Sequence, residues 1–365
     1  MSSSFGNFLK ISLFGESHGP GIGIVVDGLP AGLLIDFDQV AKEMARRAPG
    51  QNAFTTPRKE EDLPQILSGM FRGRTTGAPL AALIENCNTR SQDYGEVFDK
   101  PRPGHADYTG YMRSFGFFDH RGGGHFSGRI TAPVVFTGAI VKQWLQSHGI
   151  QIYAHIQRLA GIPDASFLNA PLPADILSSL CGEVLPLIQK EKRPLMEKAI
   201  LDAKAEEDSV GGVIECMVSG LPTGLGAPFF DSAEAVLSHL LFSVPAVKGI
   251  SFGAGFDLCD MRGSVCNDPF YYDEAGSVHT KTNNCGGILG GITTGMPLVF
   301  RCAIRPTSSI AKAQDTVSLH DKKNTTLATV GRHDPCIVPR AVPVIEAMAA
   351  IAMGELWKER AQCPI

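Results

Sequence analysis

No apolar run in the 365 residues approaches the length needed to cross a bilayer, and the opening "MSSSFGNFLK" lacks the basic and apolar regions of a signal peptide. A soluble, cytoplasmic protein with no membrane partner is the expectation. Charge of one sign is also missing: 33 Lys and Arg against 37 Asp and Glu leave a net charge of −4. Nothing in that balance favours nucleic acid, so any anion site must be local. The nine cysteines are odd in number, scattered and without a C-x-x-C pair, so reduced thiols are expected rather than a disulfide framework or a zinc site. The nucleotide motifs are absent too. "GPGIG" and "GAGF" lack the third glycine of G-x-G-x-x-G, and no G-x-x-x-x-G-K-[ST] occurs.

What the chain has in abundance is glycine and proline, 40 and 24, spread among apolar segments rather than gathered into a tract. They punctuate folded elements. At this length two domains or one large duplicated domain is expected, and self-comparison favours the second. Gly28-Leu29-Pro30-x-Gly32-Leu33 recurs as Gly220-Leu221-Pro222-x-Gly224-Leu225, and Thr75-Thr76-Gly77-x-Pro79-Leu80 recurs as Thr293-Thr294-Gly295-x-Pro297-Leu298. Each follows the same order: strand, turn, helix, an "IL" segment (Ile66-Leu67 or Ile288-Leu289), then a strand. Turn residues recur by chance one motif at a time, less readily two in the same order. The reading is a single domain over 1–365 built from two related halves, roughly 1–150 and 205–345.

β-branched and aromatic runs predict strands over 8–14, 22–28, 150–156, 212–218 and 297–304. Phe37, Val40, Ala41 and Met44 follow helical spacing after an Asp36 cap, with Arg46-Arg47 in the last turn. Further helices are predicted over 133–148, 193–207, 232–242 and 342–359. Because strands and helices do not alternate regularly, the fold class is α+β, with mostly antiparallel sheets and helices packed on them.

The densest chemistry lies between Arg102 and Arg129, where 28 residues hold three histidines, two aspartates and four arginines. His105, Asp107, Asp119, His120 and His125 are all metal-ligand types. No H-E-x-x-H is present, and the interspersed arginines oppose a dication and favour phosphate or carboxylate. Arginines beside glycine or proline recur at Arg46-Arg47, Arg102, Arg121, Arg305 and Arg332, where guanidinium forks and turn amides suit oxyanions. Taken singly, each reads as a solvated surface charge. "IRPTSSI" (304–310) follows a predicted strand with hydroxyls able to cradle phosphate. His18 sits between glycines in "FGESHGPG", readable as a turn residue, a ligand or an acid.

Together "FGESHGPGIGIVVDGLPAG", "RPGHADYTGYMRSFGFFDHRGGG", "GGILGGITTGMPL", "RPTSSI" and "GRHDPC" resemble the chorismate synthase family nearly end to end. The resemblance implies a β-α-β sandwich, a homotetramer, and the 1,4-anti elimination of phosphate from 5-enolpyruvylshikimate 3-phosphate with reduced FMN, NADPH being a candidate reductant. It implies that His18 protonates the departing phosphate, that His105 lies against the flavin and that Asp334 approaches its N5. Cofactor contacts fall on His125, Ser127, Gly290, Arg305, Pro306, Thr307, Ser308, Ser309 and Arg332. Substrate contacts fall on Ser17, Arg46, Arg47 and Arg129.

The chain departs from the family where G-G-G-R-S-S-A-R-E-T is usual: here Gly122 to Thr131 reads "GGGHFSGRIT". A permanently charged fork becomes an imidazole at His125 and a hydroxyl becomes the ring of Phe126, so contacts made there must weaken or be rebuilt. Ala53 replaces an arginine, Pro245 an asparagine and Arg305 a lysine. An active catalyst with altered affinities is expected. The competing readings are a divergent flavin- or phosphometabolite-binding relative, a metal-dependent phosphohydrolase built on His105, Asp107, Asp119 and His120, and a non-enzymatic assembly protein.

Overall fold

Alternate burial builds the first sheet: Ile22, Ile24 and Val26 of one strand and Leu80, Ala82 and Ile84 of its neighbour are all buried, while Val25, Ala81 and Leu83 between them are half-buried and Gly23 lies under the Phe14 ring. The structure is a computed structural model, and it describes residues 2–50, 62–87, 97–169, 172–329 and 334–361. The sheet contains β1 (Ser4–Phe5), β2 (Lys10–Gly15), β3 (Gly21–Asp27), β4 (Gln65–Ser68) and β5 (Leu80–Glu85), in the order β1-β2-β3-β5-β4 and antiparallel throughout. The second contains β6 (Gln151–Leu159), β7 (Ile162–Pro163), β8 (Gly212–Ser219), β9 (Val247–Phe252) and β10 (Leu298–Ile304), in the order β9-β10-β8-β6-β7, also antiparallel.

The repeat read from the sequence is visible in this topology. β2-β3-β5-β4 of one sheet matches β6-β8-β10-β9 of the other, neighbour for neighbour. The G-L-P-x-G-L turns follow β3 and β8, and each is tied to its T-T-G-x-P-L partner by one hydrogen-bond set. Gly32 N and Leu33 N donate to Thr75 O and Oγ1, and Thr75 Oγ1 donates to Pro30 O; Gly224, Leu225, Thr293 and Pro222 repeat all three. A threonine at that position satisfies two backbone groups of the turn, which is why the two motifs travel together.

Between the sheets lies a layer of helices. α1 (Phe37–Arg47), α2 (Asp107–Arg113), α3 (Thr131–Gln146), α4 (Ala174–Leu180), α5 (Arg193–Ala205), α6 (Ala233–Ser243) and α7 (Val338–Arg360) follow the chain. α3 and α7 are apolar on nearly every side and are buried against each other and both sheets. They cross closely because Gly138 has no side chain: a Cβ there would lie 2.2 Å from that of Ala347. The Asp36 and Ser232 caps of α1 and α6 accept backbone amides as expected. α7 begins one turn before the predicted 342. Pro339 fits its first turn, and Pro343 lacks only the amide that would have bonded back to that residue. The short α2 and α4 and the strands β4 and β9 were not read from the sequence, their apolar runs being too brief to show a period.

The outer face of the second sheet hides a polar cluster under residues 164–188. His155 on β6 is fully buried, with Nδ1 3.2 Å from Asp164 and Nε2 3.0 Å from Glu215 of β8. Arg301 and Ser166 also reach Glu215. Burial disfavours the charged ring, but the two carboxylate hydrogen bonds outweigh it and raise the His155 pKa above its ordinary value. A raised pKa contributes stability that is full below about pH 6.5 and is lost as pH rises through the folded-state value. The melting temperature is therefore expected to fall as pH rises above the ordinary imidazole value of about 6.5, and the His155→Gln variant, melted in parallel, should lose most of that slope. Equal slopes would contradict the assignment.

Candidate active site

The site grows from two turns that meet. β2 ends at Gly15, whose φ of +95° starts the turn that carries Ser17 and His18 before β3 resumes at Gly21. The second turn is Gly122-Gly123-Gly124, all with positive φ, leading into α3. Gly124 O accepts Ser17 N at 3.1 Å. A Cβ on Gly122 would lie 2.1 Å from the His18 ring, and one on Gly123 would lie 3.0 Å from the His105 ring. Two adjacent glycines thus bring His18 and His105 against one short stretch of backbone. No other residue type permits both approaches.

His105 is held from behind. Its Nδ1 lies 2.7 Å from Asp107 Oδ1, and Arg102 grips the same carboxylate with Nε at 2.7 Å and Nη2 at 2.8 Å. Burial alone would raise Asp107, but the hydrogen bonds from Arg102 and His105 hold it well below the usual carboxylate range. Arg102 Nη1 also donates to Ser309 Oγ at 3.0 Å, joining this turn to the loop that leaves β10. Arg305 of that loop donates to Gly104 O, so Arg305, Ser308 and Ser309 sit directly over the turn that carries His105. Ser309 and Asp334 line one cavity of about 140 Å³.

From Asp334 the contacts run back to the start. Arg340 Nη1 donates to Asp334 at 2.5 Å while its Nε donates to Arg47 O at 3.0 Å. Arg47 and Arg129, both buried, share the two oxygens of Asp62. Burial pushes Arg47 down to about 10 despite Asp62, with Arg340 and Arg129 adding like charge. Arg129 Nε donates to Asn86, whose Nδ2 donates to Glu16 O and Gly19 O on either side of His18. Direct contacts thus run from Asp334 through Arg340, Arg47, Asp62, Arg129 and Asn86 to the His18 turn and on to His105, and the cavity lined by Ser309 and Asp334 separates the two ends.

Other expected residues stand elsewhere or do other work. Arg46 points away from Arg47, with Nη1 and Nη2 on buried Glu346, which also holds Lys142, so the two adjacent arginines do not share a ligand face. Gly290 turns an open hairpin between Ile288–Leu289 and Ile292–Thr293, apart from this run of contacts. Ser127 Oγ caps the turn before α3 by accepting Arg129 N. Phe126 fills the hollow over Gly110 and meets Phe118 edge-on. Pro245 lies in the turn whose Ala246 carbonyl accepts Arg305 N at 3.0 Å. Arg332 and Ala53 lie outside the described residues. The acids expected of a metallohydrolase are engaged with arginine, Asp107 with Arg102 and Asp119 with Arg121, and His120 stacks on Phe98.

Sequence reasoning passed over Asp62, Asn86 and Arg340. Asp62 is one acid in the run "KEEDLP" and Asn86 follows a strand, so neither carries a local signal. Arg340 does: it is the one charge in the apolar start of α7, "VPRAVPV".

Two sheets enclosing helices, with imidazoles, buried arginines and a hydroxyl loop gathered in one place, define an enzyme of the class that holds a multiply charged anion while protons move. Residues 9–357 match the family described as chorismate synthase. A relative named chorismate synthase from Dehalococcoides mccartyi is 46% identical over 356 residues, covering 98% of this chain and 96% of its own. One of the same name from Methanocaldococcus jannaschii is 44% identical over 367 residues, with 98% and 96% covered. A solved structure described as a crystal structure of chorismate synthase aligns with a TM-score of 0.76 at 27% identity, over 98% of this chain and 94% of its own. The chain belongs to the chorismate synthase family.

Substituting Gly122 by Ala places a methyl group inside the His18 ring and forces an L residue to φ +61°. The expected result is a folded protein, by circular dichroism, whose turnover drops about 100-fold, the cost of misplacing a reacting group by about 1 Å.

Proposed function

We propose that the chain catalyses the 1,4-anti elimination of phosphate from 5-enolpyruvylshikimate 3-phosphate, giving chorismate, with reduced FMN bound beside the substrate. The observation that carries this reading is the run of contacts joining His18, His105 and Asp334 to two buried arginines that share one carboxylate. One carboxylate between two guanidiniums leaves positive charge for a substrate that bears a phosphate and two carboxylates. Arg47 and Arg129, rather than Arg46, are the substrate contacts this reading favours.

The hydroxyl loop suits FMN. Thr307 Oγ1 is buried with no hydrogen-bond partner among the described residues, an arrangement a bound phosphate or ring oxygen would satisfy. Arg305, Thr307, Ser308 and Ser309 would hold the cofactor over the turn that carries His105, with Pro306 shaping the loop and Arg332 as a further contact. Reduced FMN, when bound, supplies an electron-rich ring that favours loss of the phosphate.

The protein's own groups then divide the proton work. His18 gives its proton to the departing phosphate oxygen, an imidazole with an ordinary pKa of about 6.5 being a competent acid near neutrality. His105 has Nδ1 against Asp107 and Nε2 3.3 Å from Arg102 Nη2, and in this reading its ring would lie against the cofactor. Asp334, fixed by Arg340, stands to hold the proton that the substrate ring gives up. NADPH as the outside reductant, a homotetramer and a cytoplasmic setting complete the proposal. Exposed aromatics such as Phe229 and Phe230 support association, and no helix among the described residues is long and apolar enough to cross a membrane.

The test is anaerobic turnover with reduced FMN and 5-enolpyruvylshikimate 3-phosphate, read as phosphate release and chorismate absorbance. His18→Gln should lower kcat by about 10² to 10⁴ while flavin binding persists. No phosphate from the unmodified protein at any flavin concentration would overturn the reading.

A further inference from the structure

His125 occupies a position where relatives usually carry arginine and where a cofactor contact was expected. Both of its ring nitrogens are instead engaged within the protein. Nδ1 lies 2.8 Å from Gly15 O, and Nε2 lies 2.9 Å from Ser3 Oγ. A carbonyl oxygen only accepts, so Nδ1 carries a proton, while the Ser3 hydroxyl can serve Nε2 as donor or acceptor.

The position of these partners gives the contact its meaning. Gly15 is the last residue of β2 and the hinge from which the turn bearing Ser17 and His18 departs. Ser3 belongs to the N-terminal segment, where its carbonyl accepts Leu13 N at 2.8 Å and the neighbouring Ser4 pairs with Ser12. The glycine turn therefore grips the His18 turn at three points: the Gly122 backbone against the imidazole, Gly124 O on Ser17 N, and the His125 side chain on Gly15 O. Only the last of these is made by a side chain, and it alone also ties down the chain's first strand.

We propose that His125 is a positioning residue for His18, a clamp that holds the start of the catalytic turn at a set distance from the glycine turn, and not a cofactor ligand. The two nitrogens of one rigid ring span the gap between Gly15 O and Ser3 Oγ, so the imidazole fixes both segments with few rotatable bonds. Phe126 accompanies the change. Its ring packs over Gly110 of α2, anchoring the outer end of the same turn by apolar contact.

The inference rests on His18 being the catalytic acid, and the test separates the two ideas by geometry. Asn places an amide nitrogen where Nδ1 stands, and Gln places one where Nε2 stands. His125→Ala should lower kcat about ten-fold or more, with KM for substrate and the dissociation constant for oxidised FMN changed by less than about two-fold. His125→Asn should recover most of kcat by donating to Gly15, and His125→Gln should not. The ¹³Cε1 resonance of His18 in the ligand-free protein gives a readout without turnover: shifted in the Ala and Gln variants, near the original in Asn. If the unmodified protein fails to turn over, the function is wrong, yet the resonances still judge the clamp. A ten-fold weaker FMN affinity with kcat intact, or Asn and Gln behaving alike, would overturn it.

Discussion

Three consecutive peptides with positive φ at Gly122 to Gly124 are the constraint on which the site depends. An α-carbon bearing a side chain would collide with His18 at the first position, crowd His105 at the second and strike the Asp119 carbonyl at the third. Removing all three side chains lets the backbone serve as a wall between the imidazoles, with each ring a van der Waals distance from a peptide plane. Glycine loses more backbone entropy on folding than any other residue, and three in a row are tolerated only because the contacts on both sides fix them. Those contacts are Ser17, His125 and Asp119 on one turn and the packed start of α3 on the other.

Charge pairing supplies the second constraint. Several cations lie in the interior matched to acids: Arg102 to Asp107, Arg47 and Arg129 to Asp62, Arg46 and Lys142 to Glu346, Arg301 to Glu215. Isolated, any of them would be too costly to bury. The pairing is unequal at Asp62, where one carboxylate serves two guanidiniums, and the proposed function assigns the anionic substrate to that excess of positive charge. Preorganisation of this kind stabilises developing charge without reorganisation at the moment of reaction.

The duplication explains how the site is assembled from distant parts of the chain. β5 and β10 are equivalent strands of the two halves, and the loop leaving each reaches the centre: Asn86 after the first, Arg305 to Ser309 after the second. One loop braces the His18 turn and the other covers the His105 turn. The polar insert from Arg102 to Arg129 belongs to the first half alone. The two halves are therefore alike in frame and unlike in chemistry.

The strands, the main helices and the repeated turns were legible in the sequence because each depends on local chemistry: period-two burial, capping and glycine dihedrals; His18, His105, Arg47, Arg129 and Asp334 were singled out through motifs that resemble a family, and local chemistry alone left them open. What only the tertiary structure decided are relations between residues far apart in the chain. Arg46 and Arg47 are neighbours in sequence, yet successive helical positions differ by about 100°, and one faces Glu346 while the other faces Asp62. Asp62, Asn86 and Arg340 carry no strong local pattern and acquire their roles by proximity. His125 was legible as a departure, but its meaning required Ser3, 122 residues away, to come within hydrogen-bond reach. Sequence spacing records periodicity along one element, whereas the balance of buried charge is settled only when separate elements pack.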